Sequence, residues 1–400
     1  MVLMRKSDLP SGREDNLAAV RARRLKRYSP LFRARIAALT CCSSQAEDLA
    51  DSFPGLLVAL VSNVSSVEKR SKAFDTVLEG GSVKAAAEIL GLPFWLKKMP
   101  PEAFREPIRH LPSESQFTAK ITNFIPDKAH TTGDWLEHVS FADEACGSSF
   151  ALWVAKHCSS VAPSRRKLVF LYMASWAWHC VHADSIGHRL IDKPWSPKMG
   201  LRRATEELMR WRRRVDLACL IGNGIQSTWL KGGRSGDYEF VPLLTIDDFI
   251  SESEAMNNCL DQYSDRLATG LIRVFSIRQD NKRIANIEVG PTPAQGAAPS
   301  IVQIKAAHNR QAPIGVWQAA QIWLESQARP DLPRRPGLVR QPNDQIDPFW
   351  HSYLDWLPAV RRAEFEACLL SSRRRITRRH LPHPVVDDGH LARRTAANTA

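Results

Sequence analysis

The sequence predicts an α+β fold that is mostly helical and contains one small antiparallel sheet module near 255–310. Apolar residues recur at helical spacing over most of 14–250, and again at 314–327 and about 349–372. Between these stretches, three short runs alternate apolar and polar residues, as strands with one buried face do. Hydrophobic residues make up 44% and charged residues 24% of the 400 positions, which are ordinary globular values and exclude wholesale disorder.

The N-terminal part of the chain predicts helices. Residues 14–40 have apolar positions opposite an Arg-rich face, so we interpret 1–40 as a basic helical arm. Residues 41–250 are rich in tryptophan and predict a helical domain, because large aromatic side chains at helical spacing usually fill a core. The segments with the length and periodicity of packed helices are 134–158, 164–190 and 200–221.

The predicted α+β module covers 251–328 and begins with a helix at 254–268, which Gly270 ends. Three strands are predicted at Leu271–Arg278, Ile284–Val289 and Ile301–Lys305. A turn at Gln279–Lys282 joins the first two. A Pro/Arg-rich linker follows at 329–348, and a C-terminal helix with a basic tail occupies 349–400.

One face of the predicted sheet is polar. Alternation places Phe275 on one side of the first strand and both Ser276 and Arg278 on the other. The same rule adds four residues from the next two strands to the polar side: Asn286, Glu288, Gln303 and Lys305. This face is either solvated, as is usual in antiparallel sheets, or a polar site to which the preceding helix adds Cys259 and Tyr263, one turn apart.

Basic residues are concentrated near the two ends of the sequence. Lys and Arg number 55 against 42 Asp and Glu, a net charge of +13. Arg5–Arg35 has ten basic and three acidic residues, Arg361–Arg394 has nine and four, and Arg202–Arg214 is a smaller third cluster. Such segments either bind phosphates or serve as solubilising tails and solvated helix faces. The predicted nucleic-acid-binding residues are Arg23, Arg24, Arg27, Arg212, Arg213, Arg374, Arg375, Arg378 and Arg379.

Several absences limit the function. The eight cysteines include no CxxC pair and the first residues form no apolar run, so we expect a cytoplasmic protein without a secretory signal. No apolar run reaches the roughly 20 residues that cross a bilayer, so no membrane span is expected. The spacings of phosphate loops, dinucleotide-binding loops and zinc ligands are missing, so we predict no cofactor and no metal.

The polar positions of the α+β module follow a distinct order. They are Cys259, Tyr263, Gly270, Ser276 with Arg278, Glu288, Gln303 and Asn309. This order resembles the PcfJ-like family of bacterial proteins, which are known from conjugative plasmids and also occur on chromosomes. Asn258 stands where members often have His, and Ala306 stands where they often have Gly. The resemblance implies a setting in mobile DNA and implies no particular reaction.

Three functions are open at this point. The first is a PcfJ-like accessory protein of bacterial mobile-DNA or nucleic-acid processing that binds polyanion through its basic segments. Its expected partners are DNA or RNA and other proteins of a mobile element. The second is a hydrolase or transferase with a polar site on the sheet of the 255–310 module. The third is a helical scaffold for protein interactions.

The enzyme hypothesis assigns roles to residues of the polar face and its helix. The catalytic candidates are Cys259, Arg278 and Glu288, and the substrate-binding candidates are Tyr263, Ser276, Gln303, Lys305 and Asn309. Cys259 is either a nucleophile with His308 as its base or a buried structural residue. Arg278 and Glu288 are expected to meet across neighbouring strands. They form either an ion pair or, together with Lys305, a phosphate clamp with a general base.

Overall fold

Helices make up most of the described chain and are accompanied by one antiparallel sheet, which confirms the predicted α+β fold. The computed structural model describes residues 11–63, 65–109, 111–221, 224–225, 229–268, 270–291, 299–327 and 348–379. It describes only the backbone of residues 11–18, 265, 268, 348 and 371–379. The chain divides into two compact units, Met1–Ala183 with Pro194–Ala204 and Asp184–Lys193 with Thr205–Ala400.

The first unit is built from helices. They are α1 (Ser11–Lys26), α2 (Pro30–Cys42), α3 (Ser44–Ser52), α4 (Pro54–Val61), α5 (Val67–Leu78), α6 (Val83–Ile89), α7 (Ser115–Ile121), α8 (Ala129–Cys146), α9 (Ser148–His157) and α10 (Pro163–Val181). The helix α11 (Leu201–Ile221) begins here and continues into the second unit. Trp135, Trp153, Trp176 and Trp178 are each at most 4% exposed, so these aromatic side chains fill the core of the unit as predicted.

In the first unit, two helices that the sequence predicts as continuous are broken. The predicted helix at 14–40 divides at Ser29, because the following Pro30 disfavours helical backbone there and occupies the first turn of α2. The predicted helix at 134–158 divides at Gly147, whose φ of 82° lies outside the helical region. The helical class of both segments is nevertheless correct.

The second unit contains the sheet. After α11, its elements are β1 (Gly233–Ser235), β2 (Tyr238–Pro242), α12 (Ile246–Met256), α13 (Ser264–Ala268), β3 (Arg273–Gln279), β4 (Lys282–Pro291), β5 (Pro299–Ala306), α14 (Ile314–Glu325), α15 (His351–Trp356) and α16 (Ala359–Arg379). Short 3₁₀ segments lie at Ile186–Leu190, Leu260–Gln262, Ala307–Asn309 and Pro348–Trp350. The predicted linker at 329–348 lies outside the described residues except for the backbone of Pro348, and so does the tail beyond 379.

The five strands pair in sequence order, β1-β2-β3-β4-β5, and every pairing is antiparallel. The three predicted strands correspond to β3, β4 and β5, whereas β1 and β2 were not predicted. Asp280 and Asn281 join β3 to β4 with φ values of 49° and 62°, which is the conformation of a type I′ hairpin turn. This two-residue loop aligns Gln279 with Lys282 and so determines the register of the hairpin.

The two faces of the sheet are covered differently. On the apolar face, Phe240 stacks on Trp323 of α14 with ring centroids 4.5 Å apart, and Phe275 contacts the same ring edge-on. The polar face is also buried: Ser276, Asn286 and Glu288 are at most 5% exposed. Leu260 and Tyr263, from the segment between α12 and α13, pack against Val274 on this side. The interpretation of this face as solvated is therefore wrong for its buried residues.

Candidate ligand-binding site

A helix break shapes the segment that covers the polar face. The helix α12 ends at Met256, and Asn257 adopts the left-handed conformation with φ 45° and ψ 55°. Asn tolerates this conformation better than most residues. The predicted continuous helix at 254–268 is therefore wrong, and Cys259 and Tyr263 do not lie one helical turn apart.

A pocket of about 190 Å³ lies at this segment and the polar face of the sheet. Its lining includes six of the eight residues that the sequence assigns to the site, namely Cys259, Tyr263, Glu288, Gln303, Lys305 and Asn309. The other lining residues are Asn258, Leu260, Val274, Asn286 and Ile287. The strands supply adjacent polar groups because Glu288 pairs with Gln303 and Asn286 pairs with Lys305 in the β4–β5 register.

A buried carboxylate forms the floor of the pocket. Glu288 is 2% exposed, and its Oε1 forms an ion pair with Nη2 of Arg266 at 2.5 Å. Its Oε2 accepts a hydrogen bond from the Tyr263 hydroxyl at 3.0 Å and another from Nε2 of Gln303 at 2.6 Å. The same Nε2 donates to the Tyr263 hydroxyl oxygen at 2.6 Å. These three side chains hold the carboxylate in one orientation.

Tyr263 acts in this cluster as a protonated phenol. Burial raises its pKa, and the nearby negative charge of Glu288 raises the pKa further. Arg266, whose guanidinium lies 5.3 Å from the centre of the tyrosine ring, opposes this effect. Because Oε2 accepts two hydrogen bonds and Oε1 is paired with the guanidinium of Arg266, Glu288 fits a carboxylate that positions its neighbours better than a general base.

A second buried carboxylate fixes the adjacent wall. Glu252 of α12 is buried. One of its carboxylate oxygens accepts a hydrogen bond from Arg283 at 2.7 Å, and the other accepts one from Nδ2 of Asn286 at 2.7 Å. Oδ1 of Asn286 in turn accepts from Nδ2 of Asn258 at 2.6 Å, and Oδ1 of Asn258 accepts from the backbone N–H of Leu260 at 3.2 Å. This chain of hydrogen bonds sets the orientation of two carboxamides that line the pocket.

Exposed side chains mark the open side of the pocket. Lys305 and Asn309 are exposed, and the half-buried Cys259 thiol lies 3.9 Å from Oδ1 of Asn309. The imidazole of His308 meets a different partner, since its Nδ1 lies 2.9 Å from the carboxamide nitrogen of Asn257. The contact partners of the thiol and the imidazole are therefore different residues, and these contacts form no Cys259–His308 pair.

Arg278 and Ser276 lie apart from the pocket lining. The β3–β4 register aligns Glu288 with Val274, whereas Arg278 aligns with Arg283 and, on its other side, with Glu239 of β2. Nε of Arg278 donates to the Ser276 hydroxyl at 3.3 Å. The expected cross-strand pair of Arg278 and Glu288 is therefore wrong, because the two-residue hairpin turn separates them along the sheet.

Three of the seven Lys and Arg side chains described at 19–40 have acidic partners, namely Arg21, Arg24 and Arg27. Arg24 lies 2.7 Å from Asp51, and Arg27 binds both carboxylate oxygens of Glu102 at 2.8 and 3.1 Å. Arg23 is exposed.

The other predicted nucleic-acid-binding residues lie on α11 and α16. Arg212 and Arg213 are half-buried. Burial raises the pKa of Asp261. The positive charges of Arg213, Arg214 and Arg210 oppose this rise. The backbone of α16 is helical up to Arg379, but the side chains of Arg374, Arg375, Arg378 and Arg379 lie outside the described ones.

Four residues that order the pocket were not assigned to it from the sequence. Asn286 had a detectable signal, because it lies two positions before Glu288 and so on the same strand face. Arg266 follows Tyr263 by three positions, a spacing that places two side chains on the same side of a helical turn, and both contact Glu288. Glu252 and Arg283 had no such signal, since each is one of several charged residues in its stretch of sequence.

The fold and the site define an α+β protein with a buried polar cluster beneath a pocket on one face of its sheet. Residues 226–314, which include β1 to β5 and all lining residues, match the family model described as PcfJ-like protein. The family predicted from the order of polar residues is thereby confirmed over this stretch. No curated protein and no solved structure gives a significant match.

Two further properties of the described residues concern membranes and metals. No helix among them is both long and apolar enough to cross a membrane. Within the same residues, no group of three or more His, Cys, Asp and Glu side chains has an arrangement that could hold a metal ion.

Proposed function

We propose that the PcfJ-like stretch binds a small polar anion in the pocket on its sheet. The observation that supports this most directly is that five polar residues of the family-like order line one pocket together with Lys305. They come from the segment after α12, from β4, from β5 and from the 3₁₀ segment that follows β5. Polar groups converging on one concave site are the usual mark of ligand binding.

The charges of the pocket favour an anion. The two buried carboxylates are compensated, Glu288 by Arg266 and Glu252 by Arg283. Lys305 then adds a positive charge at the open side, where it is exposed. A ligand with a phosphate or carboxylate would receive a charge-assisted hydrogen bond from this ammonium group.

The proposal can be tested with Cys259 as a reporter, because a bound ligand would shield its thiol. The rate of iodoacetamide labelling at Cys259 is measured by peptide mass spectrometry, with the exposed Cys41 as internal reference. The anions offered are inorganic phosphate, succinate, ribose 5-phosphate and nucleoside monophosphates. At least one should slow the labelling of Cys259 and leave that of Cys41 unchanged.

Lys305→Ala should raise the Kd of the protecting anion about tenfold, since one charge-assisted hydrogen bond is lost. The matched control is Lys282→Ala, which removes an exposed lysine of the same sheet outside the pocket lining. The proposal fails if no anion protects Cys259, or if the two lysine variants weaken protection equally.

A second function, association with nucleic acid, is supported by the distribution of charge. The C-terminal helix α16 continues to Arg379, and the sequence spaces Arg374 from Arg378 and Arg375 from Arg379 by four residues. Like charges at this helical spacing repel each other, and a polyanion would relieve that repulsion. Such binding would agree with an accessory role in mobile-DNA processing, and its salt dependence is the measurement that tests it.

A further inference from the structure

We infer that the ligand of this pocket is a nucleotide, whose base edge meets the oriented carboxamides and whose phosphate meets Lys305. The inference rests on the proposed function and names the chemical class of the anion. Contacts within the protein fix the orientation of the hydrogen-bonding groups that line the pocket.

The orientation of Gln303 follows from its partners. Its Nε2 donates both hydrogens, one to Glu288 and one to Tyr263, each at 2.6 Å. A flipped carboxamide would place Oε1 against the carboxylate of Glu288, which is repulsive. Oε1 of Gln303 is therefore the atom that this side chain offers to a ligand, and it accepts a hydrogen bond.

The neighbouring wall offers donors as well. Nδ2 of Asn286 donates one hydrogen to Glu252, and Nδ2 of Asn258 donates one hydrogen to Oδ1 of Asn286. These hydrogen bonds fix the orientation of both carboxamides. Each amide nitrogen has a second hydrogen. The pocket thus combines an acceptor from Gln303 with donors from carboxamides whose orientation is set by buried charges.

This arrangement suits a nucleobase better than a simple anion. Base edges place hydrogen-bond donors and acceptors side by side, so one edge can meet the acceptor of Gln303 and a donor of a neighbouring carboxamide together. A plain carboxylate supplies no donor for Oε1 of Gln303, and inorganic phosphate supplies no pair of a donor and an acceptor on one planar edge. The ligand that satisfies the pocket therefore has both an edge of this kind and a negative charge.

The size of the pocket and the position of Lys305 place the two parts of the ligand. A volume of about 190 Å³ corresponds to about six water molecules at roughly 30 Å³ each, which is room for one planar ring. Lys305 follows Gln303 by two residues on β5, so the two side chains lie on one face about 7 Å apart along the strand. The ring lies in the pocket and the phosphate lies outside it at the exposed ammonium group.

The test compares ligands that lack one part. Kd is measured for the full chain by Cys259 protection and by calorimetry with the four nucleoside 5′-monophosphates, their nucleosides, ribose 5-phosphate, inorganic phosphate and an eight-residue oligothymidylate. A monophosphate should bind about tenfold or more tightly than its nucleoside and than ribose 5-phosphate. Lys305→Ala should remove the advantage over the nucleoside, and Lys282→Ala should retain it.

The outcomes separate this inference from the proposed function. If ribose 5-phosphate or inorganic phosphate binds as tightly as the monophosphates and depends on Lys305, the base is not read and the nucleotide inference is overturned, while anion binding stands. If none of these anions binds in a Lys305-dependent way, both are overturned. Tighter binding of the oligothymidylate than of thymidine monophosphate would identify a nucleotide within single-stranded nucleic acid as the source, and the reverse order would identify a free nucleotide.

Discussion

At the scale of single residues, the pocket depends on hydrogen bonds to two buried carboxylates. Glu288 forms an ion pair with Arg266 and accepts hydrogen bonds from Tyr263 and Gln303. Glu252 accepts a hydrogen bond from Asn286 of β4. Three of the four carboxylate oxygens accept hydrogen bonds from protein donors, and Oε1 of Glu288 is paired with the guanidinium of Arg266. Such compensation is the condition for keeping a carboxylate buried. The buried charges therefore act through the side chains that they orient.

Removing the charge of Glu288 should loosen this cluster as a unit. We expect Glu288→Gln to lower the free energy of unfolding by about 2 kcal/mol, because hydrogen bonds to a charged acceptor are lost, and Tyr263→Phe to lower it by about 1 kcal/mol. The double variant should cost less than the sum, since both changes remove the hydrogen bond between the two side chains. Urea unfolding followed by tryptophan fluorescence measures all three, and strict additivity would show that the two residues act independently.

Residue identity alone predicted much of the pocket but not its pairing. Period-two alternation placed Glu288, Gln303 and Lys305 on one face, and all three line the pocket. Alternation does not predict the register between strands. The two-residue turn aligns Arg278 with Arg283, so Glu288 forms its ion pair with Arg266 and not with Arg278. Alternation specifies the face of a strand residue, whereas its cross-strand neighbour depends on turn geometry and on bulges.

At the scale of elements, the break after α12 was the main feature that helical periodicity missed. Met256, Leu260 and Tyr263 fit the apolar face of one helix, and all three are buried, yet the chain leaves the helix at Asn257. Tertiary contacts decide such cases: Leu260 and Tyr263 of the broken segment pack against Val274 on the polar face of the sheet, and Tyr263 donates to Glu288.

The left-handed conformation of Asn257 gives a specific test of this element. Both Asn257→Gly and Asn257→Ala remove the contact with His308, but only alanine opposes a φ of 45°. We expect the alanine variant to be less stable than the glycine variant by about 1 kcal/mol, the usual cost of this conformation for a residue with a Cβ atom. Thermal and urea unfolding measure the difference. Equal stabilities would contradict the idea that the backbone at Asn257 constrains the break.

At the scale of the whole molecule, the net charge of +13 has two structural contexts. Part of the N-terminal excess is compensated within the first unit, where Arg24 and Arg27 pair with Asp51 and Glu102. The same segment contributes core residues, since Tyr28 and Phe32 are 1% and 2% exposed. Deleting residues 1–35 would therefore damage the unit itself, and charge substitutions are the better probe of nucleic-acid binding.

Replacing Arg374, Arg375, Arg378 and Arg379 by Gln should weaken retention on nucleic acid and reduce its salt dependence. Each phosphate contact contributes roughly 0.7 to 0.9 to the slope of log K against log salt concentration, so four lost contacts reduce the slope by about three.

The matched control replaces Arg24 and Arg27 by Gln. Because these two residues already have acidic partners, their replacement should leave the slope nearly unchanged. It should instead lower the free energy of unfolding. Fluorescence anisotropy with labelled DNA and RNA over a salt series gives the slopes, and circular dichroism checks the fold. A slope unchanged by the fourfold replacement would exclude these arginines as phosphate contacts, and the polyanion partner would then have to bind elsewhere or be absent.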